Sequence, residues 1–133
     1  MIVIPDASAI SLLGDLLGNV TTVYHLYVNT VELGQSTTLA AFTEPNWPAY
    51  KPVTVTTWAP ALTVSGRAVA QADPVVWVRG VGGTALQVFG YYVTDTLNGP
   101  MLWAEARPQG PLPMQAPNDQ VLLLPQLTLR ADS

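Results

Sequence analysis

The chain has 133 residues, of which 49% are hydrophobic and only 11% charged, and its net charge is −4. Such a composition excludes a disordered protein and predicts one domain whose surface is partly buried against copies of itself or a partner. The five basic residues form no cluster, which argues against nucleic-acid or anionic-membrane binding, and the absence of cysteine excludes disulfides and thiolate metal sites.

The N-terminal segment is predicted to form one short helix over residues 6–18. Asp6 or Ser8 can cap its start, and Gly18-Asn19 is a stop signal. Three apolar residues recur on one face: Ile10, Leu13 and Leu17. Because so short a helix is not stable alone, this face docks either on its own domain or on a neighbouring subunit.

The same segment lacks the features of a secretory signal. It has no basic region at its start, and it carries Asp6 and Asp15. No uncharged apolar run in the chain approaches the roughly 18 residues of a membrane span. We therefore expect a soluble protein that is not exported by this route.

Beyond residue 19, short β-type runs alternate with connectors rich in proline and glycine. The predicted strands are 22–29, 37–43, 53–58, 61–71, 74–80, 85–95, 101–107 and 121–130. In the first of them Tyr24 and Leu26 face one way and His25 the other, and Pro125 predicts a bend or an edge in the last. About eight short strands predict an all-β fold, an antiparallel β-sandwich or jelly roll, with an N-terminal helix or arm over 1–19 and a β-sandwich domain over 20–133.

The stretch "LQVFGYYVTDTLNGPMLWAEAR" (86–107) is predicted to be a hairpin. Its Asn98-Gly99 dipeptide tolerates positive φ and would turn the chain between 86–97 and 101–107. Gly90 predicts the close approach of a large neighbour or another backbone. The alternating residues Phe89, Tyr91 and Val93 are expected to fill a core. The stretch therefore predicts a structural hairpin instead of a ligand cleft.

Residues with catalytic potential are few. His25 is the one histidine, has no acid near it in its strand, and is expected at the surface or an interface. Asp95 and Glu105 resemble a glycosidase pair, but turn formation and cross-strand pairing explain them better. The segment "RGVGGTA" (79–85) has no lysine or helix after it and is predicted to be a hairpin loop. We therefore predict no enzyme activity, no metal and no cofactor.

Two proline-rich loops are the better candidates for function, "TEPNWPAYKP" (43–52) and "RPQGPLPMQAPNDQ" (107–120). Neither fits a helix interior or a central strand. In the first loop, Trp47 and Tyr50 either face a partner or anchor the loop to its own domain.

Three segments together carry a resemblance to a known class of protein. They are "VYHLYVNTVELGQSTTLAAFTEPNWPAYKPVTVTTW", "VFGYYVTDTLNGPMLWAEAR" and "PMQAPNDQVLLLPQLTLR". In this order they resemble small structural proteins of tailed bacteriophages, β-sandwich proteins that decorate or cement the capsid. The resemblance covers nearly the whole chain from residue 20, and "GYYVTDTLNGPMLWAEAR" is its most specific part. Residues 1–19 lie outside it.

The resemblance implies a structural virion protein at the capsid surface, made in the bacterial cytoplasm. Its expected partners are the major capsid protein and other copies of itself, as a dimer or trimer, without nucleic acid or membrane. Residues 1–18 and the two proline-rich loops are expected to make most contacts. The predicted interface residues are Ile10, Leu13, Leu17, Trp47, Tyr50, Pro111, Pro113 and Met114. The alternative is a carbohydrate- or receptor-binding module of a phage tail or fibre that uses exposed Trp47, Tyr50 and Trp103.

Overall fold

The computed structural model describes residues 5–64 and 67–130 of the chain. The first four residues of the predicted arm and positions 65–66 of the predicted strand 61–71 lie outside this part. The helix α1 spans Asp6–Asn19. The strands are β1 (Thr22–Tyr27), β2 (Val53–Val55), β3 (Leu62–Val64), β4 (Arg67–Gln71), β5 (Val75–Val78), β6 (Leu86–Val88), β7 (Gly90–Asp95), β8 (Met101–Ala106), β9 (Leu112–Met114), β10 (Gln120–Leu123) and β11 (Gln126–Arg130). A mostly β protein with antiparallel sheets and one short N-terminal helix is thus confirmed.

The helix α1 covers the predicted range and extends one residue further, to Asn19, but it lacks the predicted cap. It begins directly after Pro5, which stands at the N-cap position, so the predicted cap at Asp6 or Ser8 is wrong. It ends at Asn19, whose side-chain amide donates to the carbonyl oxygen of Asp15 at 2.7 Å. This bond satisfies one of the carbonyls that every helix end leaves free.

The helix packs on a sheet of its own chain. One compact unit combines the described parts of 1–21, 55–75 and 123–133. Its sheet has the order β11-β4-β3, and α1 contacts all three strands. Ala9 and Leu13 are buried against Ala68 and Ala70, whose small side chains let the helix come close to β4. Of the two predicted docking modes, the structure therefore has the one within the chain.

The second compact unit comprises 22–54 and 76–122. Its main sheet has the order β2-β1-β7-β8, and two small ladders pair β5 with β10 and β6 with β9. All six residues of β1 are buried, so both faces of this strand are covered. The predicted alternation is confirmed, since Tyr24 lies opposite Val93 and His25 opposite Tyr92 in the antiparallel register. The division into 1–19 and 20–133 stays a prediction.

Several predicted strands differ from those observed. The strand 37–43 is wrong, because a short 3₁₀ helix occupies Leu39–Ala41. The strand 61–71 is two antiparallel strands, β3 and β4. The last predicted strand is interrupted at Pro125, as that residue indicated, and forms β10 and β11. Strand β9 was missed because it lies inside the second proline-rich loop, where Pro113 pairs with Gln87.

The hairpin over 86–107 is confirmed for β7 and β8, but its turn is not the predicted one. The residue with positive φ is Thr96, at 61°, and neither Asn98 nor Gly99 adopts such an angle. A side chain at Gly99 would instead collide with the backbone of Asp95. Gly90 confirms the predicted close approach, because a Cβ atom there would lie 2.7 Å from the hydroxyl of Tyr27.

Candidate functional site

Two loops of the second unit are bound to each other by side chains. The indole Nε1 of Trp47 donates to the carbonyl oxygen of Thr84 at 2.8 Å. The amide nitrogen of Asn46 donates to the hydroxyl of Thr84 at 3.0 Å, and its oxygen accepts from the backbone N–H of Thr84 at 3.0 Å. We call residues 44–50 the anchored loop and residues 79–84 the glycine loop.

The glycine loop owes its glycines to this contact. Gly80 and Gly83 have φ angles of +72° and +73°, which disfavour any residue with a side chain. A Cβ atom at Gly80 would lie 2.9 Å from the Cβ of Ala49, and one at Gly83 would lie 3.0 Å from the Cα of Trp47. The predicted hairpin loop is wrong, because β5 pairs with β10 and β6 pairs with β9.

The outer surface of the two loops is small and apolar. Val81 is 78% exposed, the highest value among the exposed large hydrophobic residues. Its neighbours Gly80 and Gly82 face Ala49 and Pro48, which are themselves exposed. Pro48, Ala49 and Val81 form what we call the apolar tip, an exposed surface on a backbone that several hydrogen bonds hold in place.

A buried histidine holds the start of the anchored loop. His25 is 4% exposed and lies in the middle of β1. Its Nδ1 is 2.8 Å from Oε1 of Glu44, and its Nε2 is 2.9 Å from the hydroxyl of Thr94. The imidazole stacks on the ring of Tyr92, with centroids 4.5 Å apart, and Tyr92 in turn stacks on Phe42 at 4.4 Å. The prediction of a surface histidine without a nearby acid is therefore wrong.

The hydrogen bonds around Glu44 favour its ionised form. The hydroxyl of Tyr50 donates to Oε1 of Glu44 at 2.5 Å and accepts from the backbone N–H of Leu26 at 3.1 Å. Burial opposes ionisation of Glu44, but the hydrogen bonds from His25 and Tyr50 outweigh it, and its pKa lies below the ordinary value. Burial, followed by the negative charge of Glu44, raises the pKa of Tyr92 to about 12.

The order Thr94–His25–Glu44 matches that of a nucleophile, a base and an acid, but the hydroxyl of Thr94 is buried and already bonded within the chain. Thr94 is 2% exposed. That hydroxyl donates to the carbonyl oxygen of Thr96 at 2.6 Å and lies 2.9 Å from Nε2 of His25. The cluster is a closed network whose effect is to attach Glu44 and Tyr50 to the sheet.

Asp95 and Glu105, the two carboxylates considered as a possible glycosidase pair, do not lie opposite each other in the hairpin. Glu105 lies opposite Tyr91, whereas Asp95 lies four residues further along β7. Four residues of a strand span about 13 Å, beyond the separations that glycosidases use. Among residues 5–64 and 67–130 there is also no group of three or more His, Asp or Glu side chains placed to hold a metal ion. No helix in the same ranges has the length and apolar character needed to cross a membrane.

The predicted interface residues fall into three groups in the structure. Leu13, Trp47 and Met114 are buried within the chain. Ile10, Leu17 and Tyr50 are half-buried, and Pro111 and Pro113 are exposed. Trp47 and Tyr50 anchor their loop, which was one of the two predicted roles. The exposed residues beside them, Pro48 and Ala49, were missed because small residues carry no signal of binding in a sequence.

Comparison of the chain with protein families, with curated proteins and with solved structures found no match. A proposal of function therefore depends on the sequence resemblance described above and on the geometry of the chain itself.

Proposed function

We propose that this chain is a structural virion protein that binds the outer surface of a phage capsid and stabilises it through contacts with the major capsid protein and with copies of itself. The carrying observation is the apolar tip, where Val81 is 78% exposed on a backbone fixed by the hydrogen bonds of Asn46 and Trp47. A surface that is already ordered loses little entropy when a partner binds it.

A second exposed surface supports self-association. On β5, Val76 is 49% exposed and Val78 is 43% exposed, on the face opposite buried Val75 and Trp77. On the paired strand β10, Leu122 is 61% exposed. We call Val76, Val78 and Leu122 the outer strand face. Adjacent β-branched and aliphatic side chains in water favour burial against another molecule.

The proposal includes an antiparallel β-sandwich or jelly roll as the packing of the sheets. Antiparallel pairing in every ladder with a known register and the burial of β1 on both faces support it. A rigid sandwich with exposed loops suits a protein that covers joints between shell subunits.

A carbohydrate- or receptor-binding module finds less support. The predicted stacking surface needs exposed aromatic faces, but Trp47 is 3% exposed and the hydroxyl of Tyr50 is engaged with Glu44. Trp103 is half-buried beside Tyr24, with ring centroids 6.4 Å apart.

The test is binding of the purified chain to capsids of the phage that encodes it, measured by co-sedimentation and by cryo-electron microscopy of the particles. Val81→Asp should weaken binding at least about tenfold, because it places a charge in the apolar contact. Leu97→Asp is the matched control, since Leu97 is 56% exposed in a different loop of the same unit.

Equal binding of wild type and Val81→Asp would remove the apolar tip from the proposal. Absence of the wild-type chain from purified particles, together with no binding to empty capsids, would overturn the proposed function as a whole.

A further inference from the structure

The second unit contains a buried arginine for which the described part of the chain supplies no acid. Arg79 is 8% exposed and directly follows β5, where alternation places it on the inward side with Trp77. Within residues 5–64 and 67–130, no carboxylate lies within 4.0 Å of its guanidinium, and its Nε has no hydrogen-bond partner. A guanidinium remains protonated at any physiological pH, so it cannot avoid the cost of burial by losing its proton.

Two carboxylates of the second unit, those of Asp119 and Glu44, are engaged elsewhere. The backbone N–H of Arg79 donates to the carbonyl oxygen of Asp119 at 2.9 Å. The side chain of Asp119, however, accepts from the backbone N–H groups of Gln115 and Ala116 at 2.7 and 2.8 Å. Glu44 belongs to the closed network around His25. Among the described side chains, Arg79 therefore has no acidic partner.

The backbone around Arg79 is fixed and lies at the base of the apolar tip. The next residue, Gly80, donates its N–H to the carbonyl oxygen of Pro117 at 2.8 Å. Gly80 also has a φ of +72° and lies so close to Ala49 that a side chain would not fit. The backbone of Arg79 is thus fixed directly next to Gly80, at the base of the exposed residues that we propose as a binding surface.

We propose that Arg79 binds an acidic side chain of the protein that docks on the apolar tip, so that a carboxylate of the partner completes the ion pair that this chain leaves open. Guanidinium groups match carboxylates with two parallel hydrogen bonds, and desolvated arginines are frequent centres of binding energy at interfaces. The inference rests on the proposed function and specifies the chemistry of its partner.

The first test separates a binding role from a structural one. Arg79→Met removes the charge and keeps an extended apolar side chain, so thermal unfolding of the free chain should occur at an equal or higher temperature. Binding to the capsid should fall at least about tenfold. Arg67→Met is the matched control, because Arg67 is exposed and its replacement changes the net charge equally.

The second test needs no capsid. Sodium acetate is titrated against sodium chloride at constant ionic strength, and the Hε–Nε NMR correlation of Arg79, assigned through its loss in Arg79→Met, is followed. Acetate should shift this signal in a saturable way, whereas the signal of exposed Arg67 should change only slightly and linearly.

The outcomes distinguish the two proposals. A clearly lower unfolding temperature of Arg79→Met, or no response to acetate, would overturn the inference, since Arg79 would then be satisfied within the chain. A response to acetate with unchanged capsid binding of Arg79→Met would show a site for free carboxylates and overturn the role of the partner. Failure of the wild-type chain to bind capsids, with a saturable acetate response, would overturn the proposed function and leave the anion site supported.

Discussion

Several polar side chains of the second unit are buried, and their hydrogen bonds explain how the fold tolerates this burial. Both ring nitrogens of His25 have hydrogen-bond partners, and the hydroxyl of Thr94 donates a hydrogen bond to a backbone carbonyl. Tyr50 connects Glu44 to the backbone of β1. Each buried polar group in this network has a partner, which is the condition for burying it without a large loss of stability. The network therefore attaches a loop to a sheet.

The carboxylate of Glu44 predicts how stability depends on pH. Glu44 has a pKa below its ordinary value of 4.5 in the folded chain, so it contributes stability above that value and loses it as the pH falls through the folded pKa. Glu44→Gln should lower the free energy of unfolding by about 1 kcal/mol at pH 7, since the Glu44 side chain is 37% exposed and water screens its charge. Urea unfolding at pH 7 and pH 3 measures the difference, which should be smaller at pH 3.

Glu32→Gln is the control for this prediction, because Glu32 is exposed and lies outside the network. A difference between wild type and Glu44→Gln that is the same at pH 3 and pH 7 would contradict the assignment to the charge of Glu44.

At the scale of helices and strands, residue patterns predicted the features that local sequence determines. Alternation identified the faces of β1, and apolar spacing identified the helix and the side on which Leu13 is buried. The contact between His25 and Glu44 was not predictable, because it joins a strand to a loop 19 residues away and no pattern encodes that distance. Strand β9 was not predicted, because a proline such as Pro113 argues against a strand unless one side of that strand faces solvent.

The contact between the glycine loop and the anchored loop could not be predicted from the sequence. Its three glycines predicted a loop, but only the structure shows that Asn46 and Trp47 lie against it. Positive φ and close approach act together at Gly83, whereas Gly110 has a φ of +87° with open space around it. A side chain at Gly110 would cost backbone strain alone, whereas one at Gly83 would cost backbone strain and a collision. Comparing the two positions separates these costs.

Gly83→Ala should therefore destabilise the chain more than Gly110→Ala. Both variants strain a left-handed backbone at a cost of about 1 kcal/mol, and Gly83→Ala must in addition displace the anchored loop. We expect a total loss of about 2–3 kcal/mol for Gly83→Ala in urea unfolding. Indole fluorescence should also report a changed environment of Trp47 in Gly83→Ala only. Equal losses for both variants would show that the two loops separate easily.

For the whole molecule, the low charge and the exposed apolar residues support the proposed self-association. Charged residues make up 11% of the chain, and the net charge of −4 gives two copies little mutual repulsion. The composition predicted such a surface, but it could not locate it. The structure shows that the buried side of β5 holds Val75 and Trp77 while its outer side exposes Val76 and Val78.

We therefore expect the purified chain to form a dimer or trimer through the outer strand face. Sedimentation equilibrium from about 1 to 100 μM should show a concentration-dependent mass above that of one chain, at the micromolar affinity usual for modest interfaces. The double substitution Val78→Lys with Leu122→Lys should keep the chain monomeric, because each lysine would have to be desolvated in the contact. Leu97→Lys, at a position 56% exposed elsewhere in the unit, should associate like wild type. A wild-type chain that stays monomeric throughout this range would contradict self-association and confine the apolar surfaces to contacts with the shell.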